Sequence, residues 1–213
     1  MKRIAYAVVA LCVAQGASAA ETKDPLGNHM DLYFSSLDFE VESGGDKASI
    51  DGGGGGLAFW LGNEIGLFTG EIQSNKLDGN IGGFDADADT RSFRVGLGYR
   101  FLNERNAGAW LRAEYVNFDA DLEIDDVDGG SDEQDGFGIH AGGMIGTGMF
   151  RGYAEIGRVD LDDLDGMEYK VGVSIQPGMV GGFIEYRVTD LELDHVDADE
   201  KLEDLRIGLR MGF

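Results

Sequence analysis

The sequence contains one cysteine and two prolines in 213 residues, and it has 17 basic residues against 40 acidic ones. The single cysteine excludes a secreted scaffold that disulfides within one chain hold together. The net charge of −23 argues against nucleic acid as a partner, because nucleic-acid binding depends on Lys and Arg contacts to phosphates. Long apolar runs are also missing, and none reaches the ~20 residues that a membrane-spanning helix needs.

The first 19 residues have the pattern of a secretory signal peptide. Lys2 and Arg3 precede a short apolar stretch over residues 4–13, and Ala17-Ser18-Ala19 supplies the small residues of a cleavage site. We expect export and cleavage after Ala19, which leaves one domain over residues 20–213 and removes Cys12 with the leader.

Apolar and polar residues alternate in ten segments of about ten residues, in a chain that also holds 35 glycines. Residues 93–101 are the clearest case, with large apolar side chains at odd positions and Arg or Gly at even ones. A period of two predicts a β-strand with one apolar and one polar face. The predicted strands lie near 30–42, 53–62, 65–76, 91–102, 108–119, 136–147, 150–160, 167–176, 181–190 and 203–213.

The connections between these strands alternate between short and long. Short ones are predicted at 63–64, 103–107, 147–149 and 177–180, and long acidic loops at 43–52, 77–90, 119–135, 160–167 and 190–204. The long connections carry net charges of −1, −4, −9, −4 and −7. They account for the whole charge of −25 that remains when Lys2 and Arg3 are lost from the total of −23. With an even number of strands, the long connections share one end of the fold and both termini share the other.

Alternation alone fits both a membrane barrel and a soluble, lipocalin-like barrel, so the polar face must decide. That face combines glycines with long charged side chains, as in Gly96 and Gly98 beside Arg94 and Arg100. Small residues beside large ones suit a crowded barrel interior, which leaves the apolar face for lipid. A closed barrel also satisfies every backbone hydrogen bond within lipid. We therefore predict an all-β fold, an antiparallel up-and-down transmembrane β-barrel of ten strands.

The chain ends with DLRIGLRMGF, residues 204–213. With the leader and the alternating connections, this ending resembles the small outer-membrane β-barrels of Gram-negative bacteria, such as the OmpA transmembrane domain, OmpX and opacity-type proteins. The resemblance implies a monomer in the cell outer membrane, in contact with membrane lipid and lipopolysaccharide. It also implies a signal for the barrel-assembly machinery at Leu205, Ile207, Leu209, Met211 and Phe213. Those relatives commonly have eight strands, which makes eight the alternative count.

The predicted lumen collects charges of both signs. They are Arg94, Arg100, Arg112, Glu114, Arg151, Glu155, Glu168, Lys170, Glu185, Arg187, Arg206 and Arg210. Because an unpaired buried charge is costly, mixed signs favour an ion-paired network that fills the core. In the alternative interpretation the arginines line a selective pore. Ten strands leave a narrow interior, whereas aqueous channels generally need sixteen or more, so we expect a narrow or plugged lumen.

The acidic segments raise the question of a metal site. DADADT, from Asp85, has Thr90 where a calcium-binding EF-hand needs Gly, so that motif fails. Weak Ca²⁺ or Mg²⁺ binding is a possible use of the clustered carboxylates, with Asp125, Asp126 and Asp128 as weak candidates, and a solvated acidic surface is the alternative. No cofactor is predicted. The glycine run 52–56 suggests a flexible loop that leads into a strand with close backbone contacts.

Catalysis has little support in the sequence. His195 lies beside Asp194 and Asp197 in a predicted loop, where a rim hydrolase could use a His–Asp pair, and His140 should face the lumen. No serine in a recognisable nucleophile setting accompanies them. We therefore predict a protein without enzymatic activity that acts in surface interaction or envelope integrity. A small solute channel is the main alternative, and a rim hydrolase is the third.

Overall fold

The computed structural model describes residues 27–43, 46–81, 84–104, 106–124, 127–162, 164–193 and 198–213. They form ten strands: β1 (His29–Ser43), β2 (Asp46–Gly62), β3 (Gly66–Ile81), β4 (Phe84–Glu104), β5 (Ala107–Ile124), β6 (Val127–Thr147), β7 (Phe150–Leu161), β8 (Leu164–Ile175), β9 (Val180–Leu193) and β10 (Ala198–Gly212). The predicted leader lies outside the described residues. No helix in the described part of the chain is long and apolar enough to cross a membrane.

Each strand pairs antiparallel with the next, and the last strand pairs with the first. The β1–β10 register runs from His29 opposite Gly212 to Ser43 opposite Ala198, so the sheet closes along the full length of β1. The predicted all-β, up-and-down barrel of ten strands is confirmed, and the alternative of eight strands is wrong. The C-terminal strand is paired on both sides, with β1 and with β9, which answers how the alternating C-terminal segment is accommodated. Residues 127–135 of β6 pair with β5 alone, because the β6–β7 ladder begins at Gly136.

The half of the barrel next to the termini carries an apolar outer face. Phe34, Leu97 and Ile207 are 81%, 69% and 54% exposed, as expected for side chains that contact lipid. Exposed aromatic residues flank this belt on both sides. One girdle holds Phe34, Phe93, Phe137, Tyr169 and Tyr186, and the other, near the short turns, holds Tyr99, Phe101 and Phe150. We call this half the membrane section.

The predicted long acidic loops are wrong as loops, because the strands continue through them. For example, β3 extends to Ile81 and β4 resumes at Phe84, so most of segment 77–90 is strand. Strands β4 and β6 each have 21 residues, about twice the length that crosses a membrane. The glycine run 52–56 likewise lies inside β2 instead of in a flexible loop. We call the strand portions beyond the belt the outer section: 36–43, 46–52, 74–81, 84–91, 117–124, 127–135, 158–161, 164–167, 188–193 and 198–203.

The two faces exchange polarity between the membrane section and the outer section. In the outer section most of the carboxylates point outward, and the exposed ones include Asp38, Asp78, Asp85, Asp87, Asp121, Glu123, Glu133, Asp135, Asp160, Asp190 and Glu192. The inward positions are mainly apolar, and the polar exceptions include Asn75, Thr90, Asp132, Thr189 and Glu200. One buried cluster contains Leu37, Ile50, Leu77, Ala86 and Ala88, and a second contains Val116, Val159, Leu161, Leu164 and Leu191. The outer section is therefore built like a soluble barrel on top of a membrane barrel.

Candidate functional site

The centre of the lumen is crossed by a carboxylate that two arginines hold. Glu71 of β3 accepts hydrogen bonds from Arg187 of β9, at 2.9 Å to each oxygen, and from Arg206 of β10, at 2.9 and 3.0 Å. Strand β3 pairs only with β2 and β4, so these contacts span the barrel instead of following its wall. Arg206 also donates to Asp204 at 2.7 Å and, from another nitrogen, to Gln73.

A second group of ion pairs lies beside the first. Arg94 of β4 donates to Glu114 at 3.0 Å and to Glu168 of β8 at 2.7 Å, which again links opposite walls. Glu114 also pairs with Arg112. Arg112, Glu114 and Glu168 are buried, with Glu168 only 1% exposed, and the Arg94 side chain is 13% exposed.

Glu155 of β7 forms the centre of a third group. It accepts hydrogen bonds from Arg112 at 2.6 Å and from the Trp110 indole N–H at 2.7 Å. Lys170 lies 3.0 Å from the same carboxylate. The indole ring of Trp110 is 1% exposed and packs edge-on against Trp60, with 5.4 Å between ring centroids. Aromatic rings therefore fill the space that the charged side chains leave.

Pairs nearer the short turns complete the interior. Arg210 donates to both oxygens of Asp31, at 2.8 and 2.7 Å, across the β1–β10 seam that closes the barrel. The Tyr153 hydroxyl donates to Glu185 at 2.9 Å. Arg100 donates to the Asn63 carbonyl oxygen at 3.1 Å, and Arg151 donates to Gln176 at 3.0 Å. Cations at this end therefore also tie the short turns to the wall.

All twelve charged residues that the sequence predicts for the lumen lie on inward positions of the strands. Sequence reasoning missed their main partners, which are Asp31, Glu71 and Asp204. Glu71 lies in β3, whose alternation is less regular, although the inward row from Leu67 to Leu77 would have placed it. Asp204 falls where the predicted last strand, 203–213, overlaps the predicted loop 190–204, and it lies in β10 and is 4% exposed.

The residues of the predicted assembly signal lie on the outside of β10 or at its end. Leu205, Ile207 and Leu209 are 42%, 54% and 55% exposed and belong to the lipid-facing row. The Phe213 backbone N–H donates to the Asn28 carbonyl oxygen at 3.0 Å, which fastens the end of the chain to the start of the barrel. Their reading by the assembly machinery stays a prediction.

Among the described residues, two small cavities lie between the charged side chains of the lumen. One of about 40 Å³ lies toward the termini, and one of about 50 Å³ lies toward the outer section. Both are lined by Arg206, so they meet at the group around Glu71. Since one water needs about 10–15 Å³, each holds a few waters at most. The described residues thus form a plug in the lumen.

One buried group has the residue types of a metal site. Glu114, His140 and Glu168 each offer a ligand atom, and these atoms lie within 4.8 Å of one another. Arg94, however, already contacts both carboxylates, and a divalent ion would have to displace that guanidinium. We therefore treat the group as part of the ion-pair network.

Most of the weak calcium candidates and the rim histidine lie outside the described residues. Asp125 and Asp126 lie outside the described residues, and Asp128 lies in β6. Residues 194–197, with His195, also lie outside the described part of the chain. Both sites stay predictions.

The family of the chain follows from a sequence comparison. The family model of the outer membrane protein β-barrel domain matches residues 4–176. The chain belongs to this family. Membership confirms the predicted location in the outer membrane of a Gram-negative bacterium, and it assigns the apolar belt to lipid. Outer-membrane barrels generally turn their short connections to the periplasm, so we expect the outer section to lie outside the cell.

Solved structures of outer-membrane proteins are similar to this chain at low sequence identity. Neisserial surface protein A has 14% sequence identity, a TM-score of 0.46, and a match over 86% of this chain and 97% of its own. Ail, the attachment invasion locus protein of Yersinia pestis, has 13% identity, a TM-score of 0.42, and coverage of 87% and 99%. The outer membrane protease OmpT from Escherichia coli has 12% identity, a TM-score of 0.49, and coverage of 89% and 97%. A search of curated proteins gave no significant match. Likeness at this distance supports no inference about function.

Proposed function

We propose that this outer-membrane barrel acts in surface interaction or envelope integrity, without enzymatic activity, and that its lumen does not conduct. The observation that carries this proposal is the group in which Glu71 joins Arg187 and Arg206 across the lumen. A pore at this level would require these partners to separate. Breaking one buried ion pair costs roughly 3–5 kcal/mol, which leaves the open state rare.

The same contacts weigh against the channel hypothesis. A selective pore needs charged side chains that remain free to meet a passing ion. Arg94, Arg187 and Arg206 instead lie within 3.0 Å of carboxylate oxygens. Their charges are compensated inside the wall, so they offer little attraction to an anion.

The outer section is the part of the molecule that would carry the function. Its outward face is dense in carboxylates, which attract basic partners and divalent cations by their combined field. Lipopolysaccharide is anionic, so shared Ca²⁺ or Mg²⁺ ions could join it to this face and tighten the envelope.

Planar-bilayer recording of the purified, folded barrel tests whether the lumen conducts. We expect at most small, rare current steps from the wild type. Glu71→Gln should increase their frequency, since two guanidinium groups lose their common partner. Glu203→Gln, which alters an exposed carboxylate in the outer section, is the matched control and should behave as wild type. A large and steady wild-type current would contradict the proposal and favour the channel.

A deletion strain tests the role in the envelope. We expect greater sensitivity to detergent, restored by the wild-type gene and less well by one with Asp→Asn changes at outward positions 85, 87 and 121. If both genes restored detergent resistance equally, the outward carboxylates would have no role in envelope integrity.

A further inference from the structure

The extracellular end of the barrel encloses an apolar chamber. Its volume is about 280 Å³, and its wall is formed mainly by Leu37, Phe39, Ile50, Phe118, Leu122 and Leu202. Residues of β4 and β6 complete the lining, which therefore comes from β1, β2, β4, β5, β6 and β10. The six named residues occupy inward positions in the strand register, so the chamber lies on the inner side of the sheet instead of in a groove on its outer surface. Volumes near 300 Å³ are at the lower end for sites that bind small molecules.

The chamber is closed below and its apolar wall is incompletely covered. Leu37, Phe118 and Leu202 also line the small cavity beneath, whose other walls include Arg94 and Arg206 of the plug. Phe39, Leu122 and Leu202 pack against the buried cluster but remain only partly buried themselves. Apolar surface that faces a cavity gains free energy when an apolar ligand covers it, at about 25 cal/mol per Å².

Negative charge surrounds the chamber, inside as well as outside. Asp132 lines it, and Glu200 occupies an inward position of β10 near the same rim. Burial raises the pKa of the Glu200 carboxyl, and the negative charge of Asp132 raises it further. Beyond the rim, the outward face adds the carboxylates of the outer section. An anion is repelled by this arrangement and a cation is attracted.

We propose that the extracellular chamber is a binding site for a small apolar molecule that carries a positive charge, such as an aromatic or aliphatic amine. The apolar body lies against Leu37, Phe118 and Leu202, and the charged group points to the rim at Asp132. This inference goes beyond the surface or envelope role. Ligand binding requires that the chamber be closed below, but it does not require that the lumen be non-conducting. Either proposal can therefore fail while the other holds.

Methyl-resolved NMR of the whole barrel in phosphatidylcholine nanodiscs tests the site. The probes are 1-naphthylmethylamine, a cation, and 1-naphthoate, an anion with the same ring system. With the cation, the methyl signals of Leu37, Ile50, Leu122 and Leu202 should shift and saturate. The methyl signals of the lipid-facing Leu97 and Leu209 should show only shifts that do not saturate, which arise from partitioning of the amine into the bilayer. The anion should bind at least tenfold more weakly at low salt.

A pair of identical substitutions on opposite faces of β5 supplies the control. Ala120 lines the chamber, whereas Ala113 is exposed on the lipid-facing side. Ala120→Phe fills the chamber and should abolish the saturable shifts, while Ala113→Phe should leave them unchanged. The amide spectrum of the membrane section verifies that both variants are folded. The proposal is overturned if wild-type shifts never saturate, if both variants bind alike, or if cation and anion bind equally.

Discussion

Glu71 shows how much one buried residue can contribute to stability where no bulk water is available to solvate its neighbours' charges. Its two oxygens accept four hydrogen bonds from Arg187 and Arg206, all of 2.9–3.0 Å. The carboxylate compensates two guanidinium groups at once, and Asp204 and Glu185 share the remaining charge of Arg206. Removing Glu71 therefore leaves Arg187 with only more distant carboxylates, Glu168 and Glu185, each at 3.9 Å.

The first prediction concerns this compensation. Glu71→Gln should lower the free energy of unfolding by about 3–5 kcal/mol, the usual cost of leaving a buried charge unpaired. Glu203→Gln removes an exposed carboxylate that lies 2.6 Å from Lys201 and should cost at most ~1 kcal/mol. Urea unfolding of the refolded barrel in lipid vesicles measures both. Equal losses in the two variants would show that burial of the Glu71 group does not matter.

The second prediction concerns the space that a glycine leaves. A Cβ atom at Gly142 would overlap the ring of Trp110, whereas one at the adjacent Gly143 would find its nearest neighbour at 3.4 Å. Gly142→Ala should therefore destabilise the barrel by about 1–3 kcal/mol through overpacking and shift the tryptophan fluorescence. Gly143→Ala, on the outer face, should have a much smaller effect. Unfolding followed by fluorescence gives both values, and an unchanged Gly142→Ala barrel would contradict the packing argument.

At the scale of strands, the sequence predicts which face each residue takes better than where the strand ends. The order of ten strands and the inward position of Arg94 or Arg206 follow from period two. The extensions were missed because acidic, glycine-rich segments usually indicate loops. Yet DADAD at 85–89 and DADLE at 119–123 alternate as strictly as the membrane segments. In these segments the polar residues face outward and the apolar residues face inward. The alternation that predicts a strand was therefore present, with the polarity of the two faces exchanged.

Distances across the lumen could not be predicted from sequence. Alternation places Glu71, Arg187 and Arg206 inside, but it does not say that β3 and β9 approach closely enough for their side chains to meet. That depends on the stagger of ten strands around the barrel, which is fixed by the register of every pair. The extracellular chamber depends on the same three-dimensional packing.

The third prediction applies to the β5–β6 extension. Asp119 and Glu133 lie directly opposite each other on the outward face, and like charges in such cross-strand pairs destabilise a sheet. Ca²⁺ at millimolar concentration should relieve this repulsion and protect residues 119–135 from protease. Glu133→Gln should make protection from protease less dependent on calcium, because the variant has weaker repulsion before calcium is added. If NaCl of equal ionic strength protects as well as Ca²⁺, the carboxylates form only a solvated acidic surface.

At the scale of the whole molecule, the reversal of polarity fixes the barrel in the membrane. Below the reversal, outward apolar side chains require lipid and inward charges require partners. Above it, the outward carboxylates need contact with water, and the inward apolar side chains are buried by packing against one another. The boundary runs near Phe34, Phe93 and Phe137, where the aromatic girdle is exposed. Sliding the barrel further into the bilayer would bring carboxylates into hydrocarbon, at a cost of several kcal/mol each.

The last prediction tests this position in living cells. Since Cys12 is the chain's single cysteine and belongs to the predicted leader, single cysteines introduced elsewhere report on their own surroundings. Asp121→Cys, in the outer section, should react with a membrane-impermeant maleimide in intact cells. Gly178→Cys, in the short turn between β8 and β9, should react only after the outer membrane is permeabilised. Ile207→Cys faces lipid and should stay unreactive in both conditions, and the unmodified protein gives the background. Labelling of Gly178→Cys in intact cells, with Asp121→Cys protected, would invert the orientation and place the acidic section in the periplasm.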